Sequence, residues 1–359
     1  MLLSCSMWTR DRMVVVVVVT TATMGLIPFV FAESPKNAAA AKETARPRAL
    51  NEEKVKSQLA SFRSNRTPNA RRVAIVKELS AFGPEVVARV EPAILREIER
   101  VGATPVDLPD TSQFDEEISK FRSVLVELRK DPELTKEKIT AIGDPALERL
   151  KSLYQLRAQR LAPRETAREK VRTELARWEE LLELLAMETD DGDAKTPFGL
   201  PTAEIRKQLK EVGTKVAFTP DEQWAREVQI HNAEMFRKVE PREAAGMQMM
   251  NELRVIVGLN PLKADVQLCS AARGHSADMA TENFFAHESP VPNKTTFVDR
   301  AKLEGTTASG ENIFAGSPSP NAAISGWFHS PGHHKNMLGE HRRQGLGRFN
   351  GHWTQMFGH

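Results

Sequence analysis

Cysteine is almost missing from this chain, with only Cys5 and Cys269 in 359 residues. Removal of an N-terminal leader would leave Cys269 alone. A lone thiol forms no intramolecular bridge, so an exported form must be held together by packing. Cys269 falls on the apolar side of a predicted helix, where a small buried hydrophobe is expected rather than a nucleophile. Tyrosine occurs once, while 27% of residues are charged. That balance favours helices with solvated faces over a sandwich of strands. An excess of one charge is missing too: the net charge is +2 with both signs interspersed, so no nucleic-acid footprint is visible. No histidine precedes Gln223, and eight of the nine lie between His275 and His359. Imidazole suits metal binding and proton transfer near neutral pH, so any chemistry is expected at the C-terminal end.

What is present begins with an address. Arg10 and Arg12 flank the start of an apolar run from Met13 to Phe31, and Val30-Phe31-Ala32 offers the residues a signal peptidase reads. Residues 1–32 are expected to be a signal peptide cleaved after Ala32. The competing reading is an uncleaved anchor, because the run approaches spanning length, and this would be the chain's one route to a membrane. Residues 33–49 read as a flexible linker. Residues 50–220 are helical in pattern, with stripes at Val55, Leu59 and Phe62, at Val73, Val76 and Leu79, at Ile94 and Ile98, and over Phe114 to Leu128. Leu79–Val90 aligns with Ile139–Leu150, each reading as a helix, a Gly-Pro or Gly-Asp-Pro break and a second helix. Such pairs resemble HEAT-type repeats, which build surfaces for partners. Val171, Leu175, Trp178, Leu182 and Leu185 make a short a/d seam, expected to be an internal helix–helix contact. Asp190-Asp191-Gly192-Asp193 lacks the later ligands of a calcium loop and reads as solvated. The break at Thr219-Pro220-Asp221 sets residues 221–359 apart as a separately folding domain.

In that domain the pattern predicts a helix over Met247–Leu259, a second capped by Asp265 and running to about Asn283, a strand at Gly310–Ala315 and a helix at Ala322–Phe328. Two strands are expected to flank Asn350-Gly351, a strong hairpin signal. Helices around a small antiparallel sheet make the fold class α+β. Seven motifs then occur in order: Asn251-Glu252-Leu253-Arg254, Gly258-Leu259-Asn260-Pro261-Leu262, His275-Ser276-Ala277-Asp278-Met279, Phe285-Ala286-His287, Gly310-Glu311-Asn312-Ile313, Ser330-Pro331-Gly332-His333 and Trp353-Thr354-Gln355. This order resembles the CAP superfamily of cysteine-rich secretory, antigen 5 and pathogenesis-related proteins, in its bacterial SCP-like extracellular branch, over residues 245–358. The resemblance implies a C-terminal α-β-α sandwich, with a cleft where two histidines and two acidic residues face each other. Carried over by motif, the histidines are His287 and His333 and the first acid is Glu311. Ser330 stands where the second acid is usual, and Glu340 could replace it only if the local fold brings it round.

Two neutral imidazoles and a carboxylate match a zinc site with an open fourth position, which makes His287, His333 and Glu311 the candidate ligands for Zn²⁺ or another divalent cation. The same three are the candidate catalytic residues if Glu311 orients a histidine or serves as general base on water. The plainer alternative is that the histidines hydrogen-bond Glu311 and fix the cleft walls. His275 is expected in the core and His334 in solvent. His329, His341, His352 and His359 are expected mostly on the surface, and Asn312 and Asn336 tied to backbone of neighbouring loops. No serine or cysteine nucleophile with a paired base is evident. Two functions follow: an exported binding module for an extracellular lipid, glycan or protein ligand, or a metal-assisted hydrolase of peptide or cell-wall material.

Overall fold

The computed structural model describes residues 49–186 and 198–359, with the backbone of two short paired strands, Cys5–Trp8 (β1) and Met13–Val16 (β2). The cleavage point after Ala32, nearly all of the linker and the Asp190–Asp193 loop lie outside the described residues. Among the described residues no helix is long and apolar enough to cross a membrane.

The apolar stripes become helices. These are α1 (Glu52–Arg63), α2 (Asn69–Ser80), α3 (Pro84–Val87), α4 (Glu91–Gly102), α5 (Ser112–Lys130), α6 (Lys136–Lys138), α7 (Asp144–Ala186) and α8 (Ala203–Val216). Contacts divide the chain into two compact units. One is built on Leu108–Pro163 and Phe218–His359, the other on residues 49–107 and Arg164–Ala217. In the second unit Val55, Phe62, Val76, Leu79, Ile94 and Ile98 are buried with the seam residues Val171, Leu175, Trp178, Leu182 and Leu185. The seam is thus an internal contact, with the Trp178 ring 6.4 Å from that of Phe62.

The two halves of the suspected repeat fold differently. The first breaks at Gly83, whose φ of 115° is a conformation glycine tolerates. The second does not break. Ile139–Gly143 forms one π-helical turn and runs straight into α7, with Pro145 in that helix's first turn, where a missing N–H costs nothing. The chain passes from one compact unit to the other at Ala217–Phe218, close to the expected break, but Leu108–Pro163 belongs to the same unit as Phe218–His359. Ile118, Leu125, Leu128, Ile139, Leu150 and Tyr154 share one core with Met247, Leu253, Trp327 and Phe357.

That core supports the C-terminal sandwich. Here the chain forms α9 (Pro220–Met235), α10 (Pro241–Ile256), β3 (Lys263–Ala264), α11 (Val266–Thr281), α12 (Phe297–Leu303), β4 (Gly310–Ala315), α13 (Pro320–Phe328), α14 (Pro331–Met337), β5 (Arg343–Phe349) and β6 (His352–Gly358). The sheet order is β3-β5-β6-β4, antiparallel except for the β3–β5 pair. Asn350 and Gly351 both take positive φ, 45° and 85°, as the type I′ hairpin requires. The Asp265 side chain caps α11 by accepting from the Leu268 N–H at 3.0 Å. Leu268, Ala271 and Ala272 of α11 cover one sheet face with Met356, while Met247, Trp327 and Leu346 fill the other. The closeness of α11 to β5 explains two glycines. A Cβ at Gly345 or Gly347 would overlap the α11 backbone at Leu268–Cys269 or Ala272–Arg273.

Candidate functional site

β4 brings Glu311 to the edge of the sandwich with its side chain only 1% exposed. A buried carboxylate needs partners on both oxygens, and each has one. His287 Nδ1 lies 2.9 Å from Oε1, and the Arg300 guanidinium donates to Oε2 at 2.6 Å. Arg300 comes from α12, a helix opened by a reciprocal cap between Thr296 and Asp299, and its side chain is 2% exposed. Its Nη1 also donates to the carbonyls of Lys294 and Thr295, and its Nη2 to that of His287. One guanidinium therefore holds the loop after α11 against β4. The Ser289 N–H to Thr295 carbonyl bond and the Lys294–Asp278 ion pair close the same loop.

His287 crowns this pair with a side chain 51% exposed. Because Nδ1 faces the carboxylate, Nε2 is the nitrogen left to face outward. The His333 ring, from α14, lies with its centroid 5.9 Å from that of His287, tilted by 59°. Burial holds His333 below the ordinary imidazole range, and the charge of His287 pushes the same way. His275 is fully buried on α11, as its place on the apolar stripe predicts, and its Nε2 donates to the Ala286 carbonyl at 3.0 Å. Burial lowers it as well, against the opposing pull of Glu311. Phe285, two residues before His287, is 55% exposed, and its ring centroid lies 6.4 Å from that of His352.

The expected trio thus meets only in part. Glu311 and His287 are bonded, His333 stands beside His287, and no bond links His333 to Glu311. A zinc set drawn from all three does not fit this arrangement. Both Glu311 oxygens already face donors, and the buried guanidinium at 2.6 Å repels a cation from the same place. Among the described residues no three histidine, cysteine, aspartate or glutamate groups converge as metal ligands. Ser330 is the residue before α14, and Glu340 is exposed, so neither supplies a second acid to the pair.

Other residues settle where sequence reasoning did not place them. His334 is fully buried, not in solvent; its Nδ1 donates to the Phe328 carbonyl at 2.7 Å and its ring packs on that of Phe328. His341 stacks on Phe357 at 4.4 Å, and burial pushes its pKa down to about 4. His329 bonds both carboxylate oxygens of Asp144 at 3.0 Å. Asn336 ties to the Glu311 carbonyl as expected, but Asn312 donates to the side chain of Gln355 instead. These two open a buried amide chain. Asn336 donates to Asn312, Asn312 to Gln355, Gln355 to Gln344, and Gln344 to Asn251 on α10. The missed residues of the site are Arg300, which in sequence looks like any basic residue of a short capped helix, and Arg254. Arg254 is buried and donates to the carbonyls of Met337 and Gly339, fixing the end of α14.

Residues 247–356 match the sequence profile of the cysteine-rich secretory protein (CAP) family. The chain is 34% identical over 116 residues to the uncharacterized protein YkwD of Bacillus subtilis, covering 31% of this chain and 44% of that one. It is 33% identical over 115 residues to the uncharacterized membrane protein YlbC of the same organism, covering 31% of this chain and 32% of that one. It therefore spans less than half the length of these curated relatives. Among solved structures, an extracellular protein of Bacillus anthracis containing an SCP domain is 32% identical, with 39% of this chain and 44% of that one covered and a TM-score of 0.30. An outer surface protein of Borrelia burgdorferi is 19% identical, with 31% and 87% covered and a TM-score of 0.28.

Proposed function

We propose, from the premise that residues 247–356 are a CAP-family domain, that this protein is an exported binding module. In this reading His287 and His333 face an extracellular or envelope ligand. Export is supported by the arginine-flanked apolar run ending at Val30-Phe31-Ala32 and by the family's secretory character. The observation that carries the binding reading is the engagement of Glu311. Its carboxylate is buried and shared between Arg300 and His287, so it orients the exposed imidazole and is not itself presented to a substrate. The outward face then centres on two imidazoles whose ring centroids lie 5.9 Å apart. Such a face suits a ligand that offers hydrogen-bonding groups, as a lipid headgroup, a glycan or a peptide would.

A hydrolase is the second reading, and one observation favours it. A carboxylate on Nδ1 leaves Nε2 of His287 with the polarity of a general base acting on water. Co-sedimentation of the full-length protein with phospholipid vesicles and with peptidoglycan sacculi separates the two. Under the binding reading the wild type is retained without releasing soluble fragments, and the His287→Ala/His333→Ala double variant is not retained. Fragment release by the wild type alone would establish the hydrolase. Equal retention of wild type and double variant would remove these histidines from the function.

A further inference from the structure

The segment carrying His333 is gripped by chain that lies outside the CAP-family match. From residues 108–163, Asp144 meets His329 with both carboxylate oxygens at 3.0 Å. The carbonyl of Asp131 accepts from Lys335 Nζ at 3.3 Å, and Arg129 donates to the carbonyl of Leu338. These contacts fall before, within and after α14. The other nitrogen of His329 approaches the Ser325 carbonyl at 2.7 Å, so both ring nitrogens face groups that accept hydrogen bonds. The ring therefore ties the end of α13 to the start of α7. Asp144 follows directly on the π turn Ile139–Gly143, a rare local geometry that recurs where proteins place functional side chains.

We infer that Asp144, through His329, is a positioning residue that holds α14 and so sets the place of His333 beside His287. The helical hairpin of α5 and the first half of α7 is then part of the binding site's support. Asp144 acts through another side chain and touches no ligand. This rests on the proposal that His333 belongs to the binding face. Its test needs no ligand, so the two can fail separately.

Hydrogen–deuterium exchange of the full-length protein, read by mass spectrometry, provides that test. Asp144→Ala is expected to speed exchange in residues 331–337 by about threefold or more while β5 and β6 keep wild-type rates. Asp144→Glu, which keeps the carboxylate, is expected to restore most of the protection. Unchanged exchange over 331–337 in Asp144→Ala would overturn the inference. So would equal acceleration of β5 and β6, which would make the contact one of general stability. If Asp144→Ala does not fold, His329→Ala removes the same contact from its other side and is read in the same way.

Discussion

At the scale of single residues, the site turns on a buried ion pair. Glu311 and Arg300 are almost wholly shielded from water, so the cost of breaking the pair outweighs the modest net value of making it. Arg300→Ala strands a carboxylate, and Glu311→Ala strands a guanidinium that also holds the loop carrying His287. Each single change is expected to cost about 3–5 kcal/mol in urea unfolding. The double variant is expected to cost clearly less than the sum, because neither charge is left without its partner. Simple additivity would mean that the two residues act independently and that the short contact contributes nothing special. The two are neighbours in space but eleven positions apart on different elements. Glu311 was readable from its motif, whereas Arg300 was not, because nothing local marks a lysine- and arginine-bearing helix as having one buried cation.

At the scale of elements, two glycines test how the sandwich is assembled. Gly347 on β5 has no room for a methyl group, because the backbone of α11 occupies that space. Gly274 lies in the middle of α11 with nothing within 4 Å of an added Cβ. Gly347→Ala is therefore expected to destabilise the protein by about 3 kcal/mol or more, through overpacking against backbone that cannot move aside. Gly274→Ala is expected to stabilise it by about 0.5–1 kcal/mol, by restricting the unfolded chain and favouring the helix. Thermal unfolding of the two variants should shift in opposite directions. Shifts of the same sign would show that α11 and β5 are not packed at backbone contact. The hairpin, the capped α11 and β4 were all legible beforehand, because turn chemistry, a capping aspartate and apolar periodicity are local signals. The π turn at Ile139–Gly143 was not. Its Gly-Asp-Pro reads as a break unless packing carries the helix through it.

At the scale of the whole molecule, the C-terminal domain does not close its core alone. Ile118, Leu125, Leu128, Leu134, Ile139, Leu150, Leu153 and Tyr154 are buried in the same cluster as the sandwich residues. Arg122 and Arg129 also donate to the carbonyls of Val255 and Leu338. Burial of such side chains is worth about 1.5–3 kcal/mol each. Together the eight come to roughly 12–24 kcal/mol, comparable to or above the 5–15 kcal/mol that separates a typical folded domain from its unfolded state. A fragment of residues 221–359 is therefore expected to bind a hydrophobic dye and to unfold without a sharp transition, while the full chain unfolds cooperatively. A sharp transition in the fragment, with no dye bound, would return the domain boundary to residue 220.

The sequence by itself determined the α+β class and the family resemblance of the last third, and it singled out His287, His333 and Glu311 as candidates. These rest on residue type, short spacing and period, which survive without knowledge of the fold. Only the tertiary structure decided that Glu311 is spent on Arg300 and His287, that His334 is buried, and that His329 reaches back to Asp144. It also decided that residues 108–163 complete the domain's core. These depend on which side chains distant in sequence share the same small volume. A carboxylate's partners and a core's boundary are set by that proximity, and no local pattern encodes it.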